Sequence, residues 1–212
     1  MEKENKNLYY EFFWEYFNEV QKKLMNLEEL NIREREEIFR QLQIRLMVID
    51  KNLGFEISRK NGLKREFVIT ANGVFVSFPT VRELVENAPK LMLWEIKPFK
   101  QRINETFGIK IGNIDVSSSG IFFDITQNAE NENLLDLRIY LENMDKIPEN
   151  YRREIIYQLL DGIIGEEDVE TCIGIIEEAD NKELTKFDKV DLINKVDNLK
   201  RKKEMANGKI FN

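Results

Sequence analysis

The chain has 212 residues, 42% of them apolar and 33% charged, with 32 basic and 39 acidic side chains, one cysteine and no histidine. That balance belongs to a folded protein, and the length fits one ordinary domain with appended helices. Without imidazole, Ser-His-Asp and Cys-His mechanisms are excluded, because each needs a histidine to accept the nucleophile's proton. A lone Cys172 can form neither an intrachain disulfide nor a thiolate metal cage.

No apolar run nears the roughly 20 residues of a membrane span, and Met1-Glu2-Lys3-Glu4 is charged where a signal peptide is apolar. The expected setting is a reducing cytoplasm, away from membranes. The charge is graded along the chain. Residues 128–180 carry 15 acidic and 4 basic side chains, whereas residues 181–212 carry 5 and 9. The basic tail is expected to fold back on the acidic segment. The body of the chain shows no basic face of the kind that binds phosphates, so nucleic acid is not an expected partner.

Taken in chain order, the first element is an amphipathic helix over 8–27. Tyr9, Phe13, Tyr16, Val20, Leu24 and Leu27 recur at steps of three and four, widened by Tyr10, Trp14 and Phe17, opposite a polar stripe of Glu11, Glu15, Asn18 and Lys22. Asn31 with Glu34 forms a capping box for a second helix burying Ile38, Leu42, Leu46 and Ile49, and the short linker predicts an antiparallel pair. The period then drops to two. Leu53, Phe55 and Ile57 lead to a hairpin turn at Asn61-Gly62 and a return strand through Arg65, Phe67 and Ile69.

Residues 74–78 read as either a third strand or a turn. Thr80 with Glu83 opens a short helix that Pro89 stops near Ala88, and Trp94–Phe99 is a strand whose Pro98 marks an edge or an end. Residues 100–120 read as irregular, with turns at Gly108, Gly112 and Ser117–Gly120. Ile121–Thr126 and Leu134–Leu141 form a hairpin. Pro148 begins a helix with Ile155, Ile156, Leu159, Leu160, Ile163 and Ile164 on its face, ended by Gly165. Thr171–Ile176 is a last strand, followed by a charged helix over 186–203 with a thin stripe of Phe187, Val190, Ile193 and Val196.

The expected fold is α+β: a mainly antiparallel sheet with an N-terminal helical pair and further helices packed on it. Residues 1–180 form one domain, and 181–212 an appended charged helix and tail. No G-x-x-x-x-G-K-[ST] or G-x-G-x-x-G phosphate cradle is present, and no cofactor is expected.

Two features invite a binding role. Asp161, Glu166, Glu167 and Asp168, with Glu170 beyond, gather carboxylates that could hold a hard divalent ion. Their placement at the negative end of the preceding helix is unfavourable, and an acidic capping turn is the plainer reading. Seven aromatics crowd residues 9–17, with Phe12 beside the polar stripe and Trp14 on the widened face. One wide stripe packed into the core is the plainer reading, yet seven rings cover more than one face, and a surplus would serve a partner or a second copy. Lys64, Arg65, Glu66, Lys97 and Lys100 read as solvated strand charges, and Cys172 as a small buried apolar residue in a strand.

Arg65-Glu-Phe-Val-Ile-Thr-Ala-Asn-Gly73 running to Phe78-Pro79, then Ala88-Pro-Lys-Leu91 and Trp94, resembles a block found in a family of uncharacterised bacterial proteins. So does Leu159-Leu-Asp-Gly-Ile-Ile-Gly-Glu166 with Asp168-Val-Glu and Ile173-Gly-Ile. The resemblance spans about residues 9–178 and implies a bacterial source and a compact domain of unknown function, with no catalytic residue to carry over. The expectation is a non-catalytic adaptor or immunity-type protein that binds a macromolecule. The alternative is a metal-dependent hydrolase using Asp161, Glu166 and Asp168.

Overall fold

The computed structural model describes residues 2–112 and 114–208; the last four residues of the basic tail lie outside that range. The fold is α+β. The chain divides into two compact units, residues 1–100 and 101–212, each with its own hydrophobic core. The expected boundary at 180 therefore differs from the division in the structure, and the helix read as an appendage supplies Leu192, Val196 and Leu199 to the second core.

The first unit contains α1 (Glu2–Met25), a 3-10 turn (Leu27–Glu29), α2 (Ile32–Ile49), β1 (Gly54–Ile57), β2 (Arg65–Thr70), a second 3-10 turn (Phe75–Ser77), α3 (Phe78–Glu86) and β3 (Trp94–Pro98). In α1 the buried stripe is Tyr10, Phe13, Trp14, Phe17, Val20 and Leu24, and Tyr9 is exposed. The stripe is thus rotated from the expected one, because the rings seek the aromatic centre of this core. Phe67 of β2 takes Phe17 edge-on at 4.6 Å and stacks on Phe55 at 5.4 Å, and Trp94 meets Phe17 at 5.2 Å. Each such pair adds about 0.5–1.5 kcal/mol beyond the area it buries.

Asn31 caps α2 as expected, accepting from the Glu34 amide at 2.9 Å. The Glu34 carboxylate pairs with Lys23 of α1 at 2.6 Å, which ties the ends of the antiparallel helices together.

β1 and β2 are antiparallel, with Phe55 opposite Ile69. Asn61 and Lys64 exchange both backbone hydrogen bonds, so the turn centres on Gly62-Leu63, with positive φ at Gly62 and not at Asn61. That is the requirement of a type II′ turn, one residue later than expected. Residues 75–77 form a 3-10 turn running straight into α3, whose first turn contains Pro79. The helix therefore starts two residues before the expected Thr80 cap. It crosses over to place β3 parallel to β2, at the edge where Pro98 lacks no needed donor.

The second unit contains β4 (Gly108–Ile111), β5 (Ile114–Ser117), β6 (Ile121–Gln127), β7 (Leu135–Leu141), α4 (Glu149–Ile164), α5 (Glu166–Cys172), β8 (Ile173–Glu178) and α6 (Lys189–Gly208). β4 and β5 pair as a hairpin where the sequence reads as irregular; Ile109, Ile111 and Ile114 pack on the core from it. β6 and β7 pair antiparallel in the expected hairpin, and β8 joins parallel to β7 after the two helices cross over. Both three-stranded sheets thus share one plan: a hairpin, a helical crossover, then a parallel third strand.

All six expected apolar residues of α4 are buried. Gly165, at φ 90° and ψ 145°, ends α4 and begins α5. That conformation is essentially confined to glycine. Cys172 is buried as expected, but it closes α5 instead of lying in a strand.

Candidate functional site

The aromatic block of α1 resolves into two populations. Trp14, expected at a binding surface, is only 5% exposed and donates its indole N–H to the Leu84 carbonyl at 3.0 Å. Tyr10 donates its hydroxyl to Glu83 at 2.9 Å. Both rings lock α1 onto α3. Phe12 is the reverse case, 55% exposed, with Leu8 and Tyr9 beside it in the same state.

These three side chains have counterparts on α2. Arg45 lies over the Tyr16 ring at 3.9 Å. Burial pushes the Tyr16 phenol up, against the pull of that guanidinium. Phe12 lies one turn before Tyr16 along α1, and Val48 three residues past Arg45 along α2. Val48, Met47 and Ile44 are exposed at one-turn spacing. Each helix of the pair thus carries an exposed apolar stripe outside its core face: Leu8, Tyr9 and Phe12 on α1, and Ile44, Met47 and Val48 on α2. Sequence reasoning missed the α2 half, although Ile44, Met47 and Val48 recur at helical spacing away from Ile38, Leu42 and Leu46.

On its other flank α1 borders a groove of about 500 Å³, with Glu11, Glu15, Trp14 and Tyr10 on one side and Asn87, Pro89, Lys90 and Leu91 among the residues opposite. A second hollow of about 390 Å³ lies beyond the Pro89-Lys90-Leu91 ridge, lined by Val85, Ala88, Met92, Trp94 and Ile96.

The strand charges of this unit are paired. Arg65 is buried, donating to the carbonyls of Met25 at 3.0 Å and Ser58 at 2.9 Å and to the Glu28 carboxylate. Its hydrogen bond holds the Glu28 carboxyl below the usual range. Lys97 pairs with Glu66, Lys64 with Glu95 at 3.2 Å and Lys100 with Glu56 at 3.6 Å.

The carboxylates of the second unit are dispersed among different roles. Gly165 starts a new helix, so Glu166, Glu167 and Asp168 occupy the first turn of α5. Negative charge is favourable there, which removes the expected conflict with the end of α4. Glu166 is fully buried, Asp168 is 6% exposed and Glu167 faces outward.

Asp168 is neutralised by Arg102 at 2.7 Å and Lys200 at 2.6 Å. Arg102 also pairs with Asp197 at 2.7 Å and donates to the Ile164 carbonyl at 2.8 Å. Lys203 donates to the Thr171 carbonyl at 2.9 Å. The basic helix thus folds onto the acidic turn. Burial, then Asp161 and Glu166, hold the Glu170 carboxyl above its usual value. Among the described residues, no group of three or more acidic or thiol side chains could hold a metal ion. Arg102, Asp197 and Lys200 stood out in no sequence motif, because each lies far along the chain from Asp168.

No protein-family model, curated protein or solved structure matches this chain. Among the described residues no helix is long and apolar enough to cross a membrane.

Proposed function

We propose that this is a non-catalytic protein that binds another macromolecule, and that the outer face of the α1–α2 pair makes the contact. The observation carrying the reading is the exposed stripe of Phe12, Tyr9, Leu8, Ile44, Met47 and Val48. Large apolar side chains clustered on two adjacent helices cost solubility and contribute nothing to the core, so they belong with an interface. An adaptor or immunity-type role in a bacterial cytoplasm fits that class. The carboxylates do not favour hydrolysis, because Asp168 is occupied by two cations.

The test is affinity purification from the native host with the wild-type chain and with Phe12→Asp combined with Met47→Asp. A protein recovered at stoichiometric level with the wild type and lost with the variant supports the reading. Equal recovery with both, or none with either, counts against it.

A further inference from the structure

The groove on the opposite flank of α1 goes beyond the apolar stripe and has a different chemistry. Glu11 and Glu15 stand one helical turn apart along its wall. Neither makes an ion pair or side-chain hydrogen bond among the described residues, in contrast to the strand carboxylates Glu56, Glu66 and Glu95. Lys90 is the single cation on the lining, facing two carboxylates, and Asn7 and Asn18 add amide donors and acceptors along α1.

The rings below are held in place. Tyr10 and Trp14 are each tied to α3 by their polar ends, so the groove is formed before any ligand arrives. Its volume of about 500 Å³ lies within the range of roughly 300–1,000 Å³ that ligand sites occupy. Across the Pro89–Leu91 ridge, whose Lys90 lines both hollows, the second offers Val85, Ala88, Met92 and Ile96, with no carboxylate.

We propose that this pair of hollows receives an extended peptide segment of a partner protein, in which a basic side chain lies between Glu11 and Glu15 and a neighbouring apolar side chain fills the hollow beyond the ridge. Charge complementarity selects the first residue: an arginine or lysine finds two carboxylates there, and an acidic side chain meets repulsion. The apolar lining selects the second. The preformed floor keeps the ordering cost of binding low.

The experiment titrates the full chain with fluorescein-labelled alternating arginine–leucine peptide, followed by anisotropy. Glutamate–leucine and arginine–serine peptides serve as comparisons. The arginine–leucine peptide is expected to bind saturably and both others at least about tenfold more weakly. Glu11→Gln with Glu15→Gln is expected to weaken binding about tenfold or more, while Glu130→Gln with Glu132→Gln, the same charge change in the second unit, leaves it unaltered. Circular dichroism confirms that both variants fold. No saturable binding, equal binding of the glutamate peptide, or equal loss in the two variants overturns the proposal.

Discussion

Arg102 and Asp168, 66 positions apart in sequence, meet at 2.7 Å, and Lys200 of α6 closes on the same carboxylate at 2.6 Å. The acidic turn is thereby a structural junction among three segments of the second unit. Replacing Asp168 with Asn leaves Lys200 without its carboxylate and half of Arg102's pairing undone. Asp168 is buried, but Arg102 and Lys200 are 26% and 44% exposed, so neither cation is stranded in the interior by the change. Hydrogen bonds to charged groups contribute about 1.5–3 kcal/mol, and because Arg102 keeps Asp197 we expect a loss of about 1–3 kcal/mol, measured by urea unfolding. A loss below 0.5 kcal/mol, the ordinary scatter of a surface change, would refute the junction.

The same occupancy predicts how the protein responds to divalent ions. A cation would have to displace two protein cations from Asp168 and, among the described residues, would find no group of three carboxylates or thiols to complete a shell. Thermal melts in millimolar Mg²⁺ or Ca²⁺ should therefore match those in matched ionic strength. A reproducible rise with one ion and not the other would restore the metal reading.

Two carboxyls of this unit should act on stability in opposite pH windows. The Asp197 carboxyl is lowered from its ordinary 3.8, chiefly by the Arg102 hydrogen bond. Its contribution is complete above that value and is lost as pH falls through the lower folded value. Glu170 is raised from 4.5, chiefly by burial, so its contribution is complete below 4.5 and is lost as pH rises through the higher folded value. Asp197→Asn should accordingly lower stability at neutral pH and make no difference in strong acid. Glu170→Gln should raise neutral stability and leave it unchanged near pH 4. Melting curves of the three proteins across this range decide the matter.

Gly162 lies inside α4 with the Phe107 ring directly where a Cβ would stand, and its carbonyl accepts from the Ile103 amide at 2.7 Å. Gly162→Ala removes a helix-weakening glycine, worth up to about 1 kcal/mol in its favour. The ring must move to make room, and overpacking costs about 1–3 kcal/mol. A net destabilisation is expected. Adding Phe107→Leu should recover part of it, and stabilisation by Gly162→Ala alone would show that the ring yields freely.

Neighbouring aromatics in α1 should behave oppositely. Phe13 is fully buried and Phe12 is 55% exposed. Phe13→Ala should cost about 3–5 kcal/mol, whereas Phe12→Asp should stay within about 0.5 kcal/mol while abolishing partner recovery. Paired thermal melts and pull-downs separate the two.

Much of this architecture was written in local pattern. The Asn31 cap, the Ile155–Ile164 face of α4, the stop at Gly165 and the β6–β7 hairpin all follow from spacing and turn chemistry within a few residues. Histidine's absence, likewise, excludes imidazole mechanisms whatever the fold. What local pattern left undecided was settled by distant partners. The rotation of α1 that hides Trp14 and exposes Phe12 depends on Phe67 and Trp94 supplying the aromatic centre. The β4–β5 hairpin gains its reason from the α4 side of the core, and the parallel third strand of each sheet comes from the helical crossover before it. The acidic turn reads as a capping turn, with a metal site as the alternative, and only Arg102 and Lys200, arriving from opposite directions along the chain, remove that alternative. Periodicity tells which side chains share a face, because helix and strand geometry are local. Which face is buried, and which charge is already neutralised, is a property of the folded neighbours alone.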